Sequence, residues 1–270
     1  METKAGRHIE SIARLSNFSL RLISAAILLL IVFLAFYMGP KAVSVLSGLI
    51  ALLLYLETLK GIGGYKNNKA LFALPLIGLA CPFFLENMVV TILFLAVVSI
   101  ISLHPKELRW FRLTIVSYIF VSQYLFLKII CEIPEGLNTH QPAFLLMVVI
   151  ASDTGGYVFG KVFGRNKLAP KFSPNKTLEG SLGGFILATF GWFLFFRGFS
   201  ENLILEFILV ILVCVCAQIG DLLESYAKRR LAMNDSGRLI PGHGGIFDRL
   251  DSILGATFGY SLMIALGFGI

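Results

Sequence analysis

Charge is scarce in this sequence. Only 14% of its 270 residues are Asp, Glu, Lys or Arg, 57% are hydrophobic, and the mean hydropathy is +0.83. That scarcity excludes a soluble Rossmann or β-sandwich domain, whose elements each need a polar face, and it excludes disorder in a chain with 24 Phe. There is no Cys-x-x-Cys and no His at zinc-ligand spacing from Cys81, Cys131, Cys214 or Cys216, so the cysteines read as reduced packing residues. A Walker A pattern, internal repeats and low-complexity tracts are also missing.

What the sequence does have is long apolar runs. A helix crossing about 30 Å of hydrocarbon needs about 20 residues. Nine candidate spans fall near 18–38, 42–60, 70–86, 88–104, 111–132, 142–162, 179–197, 202–226 and 250–270. The third and fourth are separated only by Glu86-Asn87 and would form a tight hairpin. The first is longer than a signal-peptide core and ends in Tyr37-Met38-Gly39-Pro40 with no small-residue cleavage pattern, so it reads as a mature helix.

The net charge of +7 sits between these runs. With nine spans, all but three of the 23 Lys and Arg residues fall on one side, the exceptions being Lys41, Lys128 and Arg197. By the positive-inside rule the N-terminus is cytoplasmic and the C-terminus lies on the opposite side. The expected fold is therefore all-α, a polytopic integral membrane protein of nine transmembrane helices. Residues 1–140 hold five spans, and residues 141–270 form a catalytic membrane region with cytoplasmic loops 161–178 and 227–249. The basic charge reads as a topology signal and not as a nucleic-acid footprint. The two richest loops carry more of it than topology needs and can face anionic headgroups or phosphates.

Ionisable groups inside spans cost a few kcal/mol on insertion scales (of order 3) and are therefore functional candidates. Glu57 lies near the end of its span, where snorkelling and a pair with Lys60 compete with a functional role. Asp153 lies in Ser152-Asp-Thr-Gly-Gly156, where the glycines allow either close helix contact or a cavity, and Asp153 could simply bond a neighbouring hydroxyl. Asp221, Glu224 and Ser225 share one helical face at i, i+3 and i+4, and Asp248 and Asp251 stand at i and i+3 where the last span opens. Two carboxylate pairs on two helices suit a hard divalent cation. Lys228-Arg229-Arg230 and the turn Pro241-Gly-His243-Gly-Gly245 add cations and approachable backbone N–H groups for phosphate. This combination reads as phosphoryl chemistry; the alternative is a basic anchor followed by a simple connecting turn. In the other loop, a helix starting near Thr177 would aim its N-terminus at an anion held by Lys176.

Ser225-Tyr-Ala-Lys228-Arg229, then Asn234-Asp235-Ser-Gly, then His243-Gly-Gly-Ile-Phe-Asp248-Arg249-Leu-Asp251 closely resembles the signature of the phosphatidate cytidylyltransferases (CDP-diacylglycerol synthases). The segment from Ser152 through Lys161, Lys167 and Lys171 to Lys176-Thr and Glu179-Gly resembles the bacterial members. The family usually has Lys where this chain has Asn234, and a larger aliphatic residue at Ala227.

The resemblance implies transfer of the cytidylyl group of CTP to phosphatidic acid in the bacterial cytoplasmic (inner) membrane, with Mg²⁺ as cofactor and a potassium-like second cation. It implies Asp221 and Asp248 as main metal ligands, with Asp251 a further ligand and Asp153 a near neighbour. Lys176, Lys228, Arg229 and Arg249 are its phosphate-binding candidates, Ser225 a phosphate or lipid contact, and Lys167, Glu179 and His243 further substrate-side residues, the role of His243 open. A homodimer is expected from the family. Two other classes compete. An ion- or proton-coupled transporter would place charges near the bilayer midplane in symmetric halves. A CTP-dependent lipid kinase shares the metal and phosphate requirements but gives a different product.

Overall fold

The computed structural model describes residues 4–61, positions 118, 119, 121, 122, 125, 126 and 129, and residues 140–197, 202–230, 235–237 and 244–266. The expected spans 70–86 and 88–104, together with Cys81, Cys131, Asn234, Arg238 and His243, lie outside the described residues, as does the Lys60 side chain.

Six long helices carry the described chain: α1 (Lys4–Met38), α2 (Pro40–Gly61), α3 (His140–Phe163), α4 (Leu178–Phe195), α5 (Leu203–Arg230) and α6 (Phe247–Ala265). Three of them, over Gln141–Phe163, Leu178–Phe195 and Leu203–Arg230, are long and apolar enough to cross a membrane. Positions 118 to 129 that are described are helical, within the expected span 111–132.

Two expectations are corrected. Between α3 and α4 the chain is not wholly helix and loop. Strands β1 (Lys167–Ala169) and β2 (Ser173–Thr177) pair antiparallel, with Lys167 opposite Thr177 and Ala169 opposite Ser173, so the all-α reading gains a small hairpin. Pro170 lies in its turn and Pro174 in its second strand, where a proline is tolerated only at an edge or irregularity. The second correction is that α5 does not stop at residue 226. It runs to Arg230, because Lys228 pairs with Glu224 one turn earlier and the closing Lys-Arg-Arg suits a helix C-terminus.

The outward side chains form stripes at helical spacing. On α4, Leu182, Ile186, Phe190 and Phe193 are exposed, as a lipid-facing surface requires. Inward, Phe144, Leu145 and Val148 of α3, Ala188 and Trp192 of α4, Val213 and Ala217 of α5 and Tyr260 of α6 make the main core.

The closest approaches are made by glycine. A Cβ on Gly155 of α3 would lie 2.9 Å from the Cα of Gly184 on α4. One on Gly255 of α6 would lie 2.9 Å from the Cα of Gly220 on α5, nearer than real Cβ contacts come. Gly255→Val should therefore destabilise the protein by about 1–3 kcal/mol, the usual cost of overpacking, read as a lowered denaturation midpoint in detergent. Gly156→Ala, whose Cβ would meet nothing nearer than the Gly180 carbonyl oxygen at 3.8 Å, should be neutral or stabilising in the same measurement.

Candidate functional site

The glycine contact between α5 and α6 decides where the acids meet. Asp221 follows Gly220, and Asp251 stands one turn before Gly255, so the close approach brings the two carboxylates face to face. Carboxylate oxygens of Asp221, Glu224 and Asp251 all lie within 4.8 Å of one another. Glu224 is 2% exposed and Asp251 7%. Asp251 accepts a 2.8 Å hydrogen bond from the backbone N–H of Ser252, which brings it no charge.

Asp248, three residues before Asp251, is set differently. Its Oδ1 accepts from Lys228 Nζ at 3.0 Å, and its Oδ2 accepts from the backbone N–H groups of Ser236 (3.2 Å) and Gly245 (3.2 Å). Lys228 also pairs with Glu224 Oε1 at 2.8 Å and so bridges the two carboxylates. Asp248 precedes the apolar run of α6. Burial pushes its carboxyl up, but hydrogen bonding with Glu224 and Lys228, the Lys228 charge and the Ser236 N–H outweigh burial and hold it at about 2. Gly244, at φ 89°, turns the chain into this position through the left-handed region that favours glycine.

A polar cavity of about 280 Å³ adjoins the acids, lined by Asp153, Lys176, Gln218 and Asp221 with Tyr157 and Ser181. Lys176, from β2, forms an ion pair with Asp221. Asp153 accepts from Ser252 Oγ at 3.3 Å while also lining the cavity, so its hydroxyl partner and its place at the site are both present. Of its glycine neighbours, Gly155 serves helix contact while Gly156 lines the cavity. Gln218 ties three helices together: its Nε2 donates to the Ser181 carbonyl at 3.1 Å, its Oε1 accepts from Ser181 Oγ, and its Nε2 lies 3.5 Å from Ser152 Oγ.

The helix start expected near Thr177 is present. Thr177 caps α4 by accepting from the Gly180 N–H at 3.1 Å. Glu179, in the first turn, spends its carboxylate on the loop before β1, accepting from the N–H groups of Arg165 (3.1 Å) and Asn166 (3.2 Å) and from Asn166 Nδ2 (2.8 Å). Lys167 is exposed on β1 and Arg249 on α6; Arg229 is exposed and donates from Nε to the Phe172 carbonyl at 3.5 Å. Ser225 is half-buried.

The sequence profile of the cytidylyltransferase family matches residues 19–266. The chain belongs to this family. Over 122 residues it is 44% identical to a phosphatidate cytidylyltransferase of Staphylococcus haemolyticus (strain JCSC1435), covering 44% of this chain and 46% of that protein. A protein of the same name from Helicobacter pylori (strain ATCC 700392 / 26695) is 43% identical over 122 residues, covering 45% of this chain and 46% of that protein. The match thus spans about half the length of these relatives.

Of the three expected metal ligands, Asp221 and Asp251 stand together with Glu224, while Asp248 lies outside that group and is joined to it through Glu224 and Lys228. Glu224, paired with Asp221 by its spacing as a cation donor, does join that group. Gln218 carries no charge to mark it in the sequence, yet its position three residues before Asp221 puts it on the same face. Glu57 is neither at the surface nor snorkelling: it is 2% exposed and faces the loop before α6.

Removing the amine from Lys228 would leave Glu224 and Asp248 without the cation they share. Lys228→Met should cost about 3 kcal/mol, the low end for breaking a buried pair because the lysine is partly accessible, and adding Glu224→Gln should recover part of the loss. Denaturation midpoints of the two variants in detergent check this.

Proposed function

We propose that this protein transfers the cytidylyl group of CTP to phosphatidic acid, forming CDP-diacylglycerol and pyrophosphate. The observation that carries the reading is the grouping of four carboxylates with Lys176 and Lys228 where α5 and α6 meet beside a polar cavity. Family membership and the relatives named phosphatidate cytidylyltransferase give the transferred group and the lipid.

The donor set of Asp221, Glu224 and Asp251 fits a hard divalent cation such as Mg²⁺, which takes carboxylate oxygens and keeps other positions for water and phosphate. Asp248 is the fourth carboxylate of the site. When bound, the ion supplies neutralisation of phosphate charge; a potassium-like second cation, as the resemblance implies, belongs to the same proposal.

The chain's own residues do the rest. A phosphomonoester has its second pKa near about 6, so the lipid phosphate is mostly dianionic at neutral pH and needs little help from a base. Its oxygen attacks the α-phosphorus of CTP, the bond from that phosphorus to the bridging oxygen breaks, and pyrophosphate leaves with the electron pair. Lys176 in the cavity and Lys228 beside the acids offer ammonium groups to the polyanions, and the exposed Arg229 and Arg249 are candidates to add guanidiniums. Asp153 lines the cavity, and Ser225 is a candidate phosphate or lipid contact.

The same proposal places the chain across the bacterial cytoplasmic membrane in nine spans with a cytoplasmic N-terminus, an N-terminal bundle over 1–140, a catalytic region over 141–270, and a homodimer as its assembly. A transporter would not need the lysines beside the acids.

Purified protein in phosphatidate micelles should release pyrophosphate from CTP only with Mg²⁺. Asp221→Asn and Asp248→Asn should each lower the rate about 10²-fold or more. Release of CDP instead of pyrophosphate would shift the reading to a lipid kinase. A folded protein inactive across cations and lipids would overturn it.

A further inference from the structure

Glu57 belongs to α2, in the N-terminal half, yet its hydrogen bonds run to Ser236 and to the first residue of α6. Its Oε2 accepts from the backbone N–H of Phe247 at 2.9 Å and from Ser236 Oγ at 3.3 Å. The carboxylate is 2% exposed and sits by the apolar cluster of Leu54, Ile119, Phe247 and Leu254, where an ionisable group is costly unless something depends on it. Its other oxygen, Oε1, is buried with no hydrogen-bond partner among the described residues.

The described segments 235–237 and 244–246 leave room for this side chain. A Cβ on Gly237 would lie 2.9 Å from Glu57 Cγ, and one on Gly245 would lie 2.7 Å from Glu57 Oε1, so both glycines leave the volume that the carboxylate fills. Ser236 is shared: its hydroxyl donates to Glu57 while its N–H donates to Asp248, and Gly245 N–H also donates to Asp248. The two carboxylates grip the same short segments, one from inside the membrane bundle and one from the site.

We propose that Glu57 is a positioning residue that fixes the loop ahead of α6 and thereby the place of Asp248. Its part in turnover rests on the cytidylyltransferase reading; its hold on the loop does not. Glu57 acts through Ser236 and Phe247 and touches no reacting group.

Hydrogen–deuterium exchange by mass spectrometry on the full chain in detergent, alongside pyrophosphate release, tests this with Glu57→Ala and Glu57→Gln. In Glu57→Ala, amides of the 235–250 peptides should exchange at least about tenfold faster while α3 and α4 stay protected, and kcat should fall at least about tenfold. Glu57→Gln, which keeps an acceptor and the volume, should restore most of the protection and most of kcat. Unchanged exchange over 235–250 in Glu57→Ala would overturn the proposal. So would faster exchange throughout α3–α6, which would mark Glu57 as support for the whole bundle. If the wild-type chain releases no pyrophosphate, the cytidylyltransferase reading fails by itself, and the exchange comparison still decides whether Glu57 holds the loop.

Discussion

Several carboxylates have to be kept close together between two apolar helices, and the rest of the described structure follows from that constraint. An ionised carboxylate removed from water costs several kcal/mol (of order 5) unless it is paired and hydrogen-bonded. Glu224 and Asp248 share Lys228, and Asp221 has Lys176, but the hydrogen bond that Asp251 receives from Ser252 carries no compensating charge. Ionised together, three acids within 4.8 Å would hold more negative charge than their lysines offset. Such a surplus would suit the cation proposed for the site and, through it, phosphate.

Such crowding is possible only because the backbones come close. With side chains at Gly220 and Gly255, α5 and α6 would stand further apart and Asp221 would part from Asp251. The same device at Gly155 and Gly184 draws α4 onto α3, and Gln218 then spans the gap, bonding to Ser181 of α4 and lying near Ser152 of α3. The hairpin between α3 and α4 carries Lys176 to Asp221. The packing of α3 to α6 and the place of the hairpin can thus be traced to the acids.

Much of this was legible in the sequence. Hydropathy located α3, α4 and α5 to within a few residues, and the three-residue spacings of Asp221 with Glu224 and Asp248 with Asp251 announced two facing pairs. What spacing cannot convey is rotation. Residues three apart share a face only loosely, so Asp251 turns toward Asp221 while Asp248 turns toward Lys228 and the loop. The hairpin was hidden because strands of three and five residues carry no alternation worth reading, and the end of α5 because hydropathy falls before the helix does. Glu57 was illegible for a simpler reason: its backbone partner lies 190 residues away, and no local pattern reports a contact of that separation.

The position of the cavity bears on which substrate suits the site. Tyr157, on its wall, is 68% exposed, and Leu182, next to the lining residue Ser181, is 61% exposed and begins the apolar stripe of α4. A polar cavity holding Lys176 therefore borders an exposed apolar surface of the kind that lipid covers. A soluble phosphate compound would gain nothing from that border. A molecule with a phosphate head and apolar tails gains on both sides, since its head can enter beside Lys176 while its tails stay against Leu182 and Ile186. Under the proposed activity the edge of the bundle would be the lipid's entrance, with its phosphate brought toward the acids on α5 and α6.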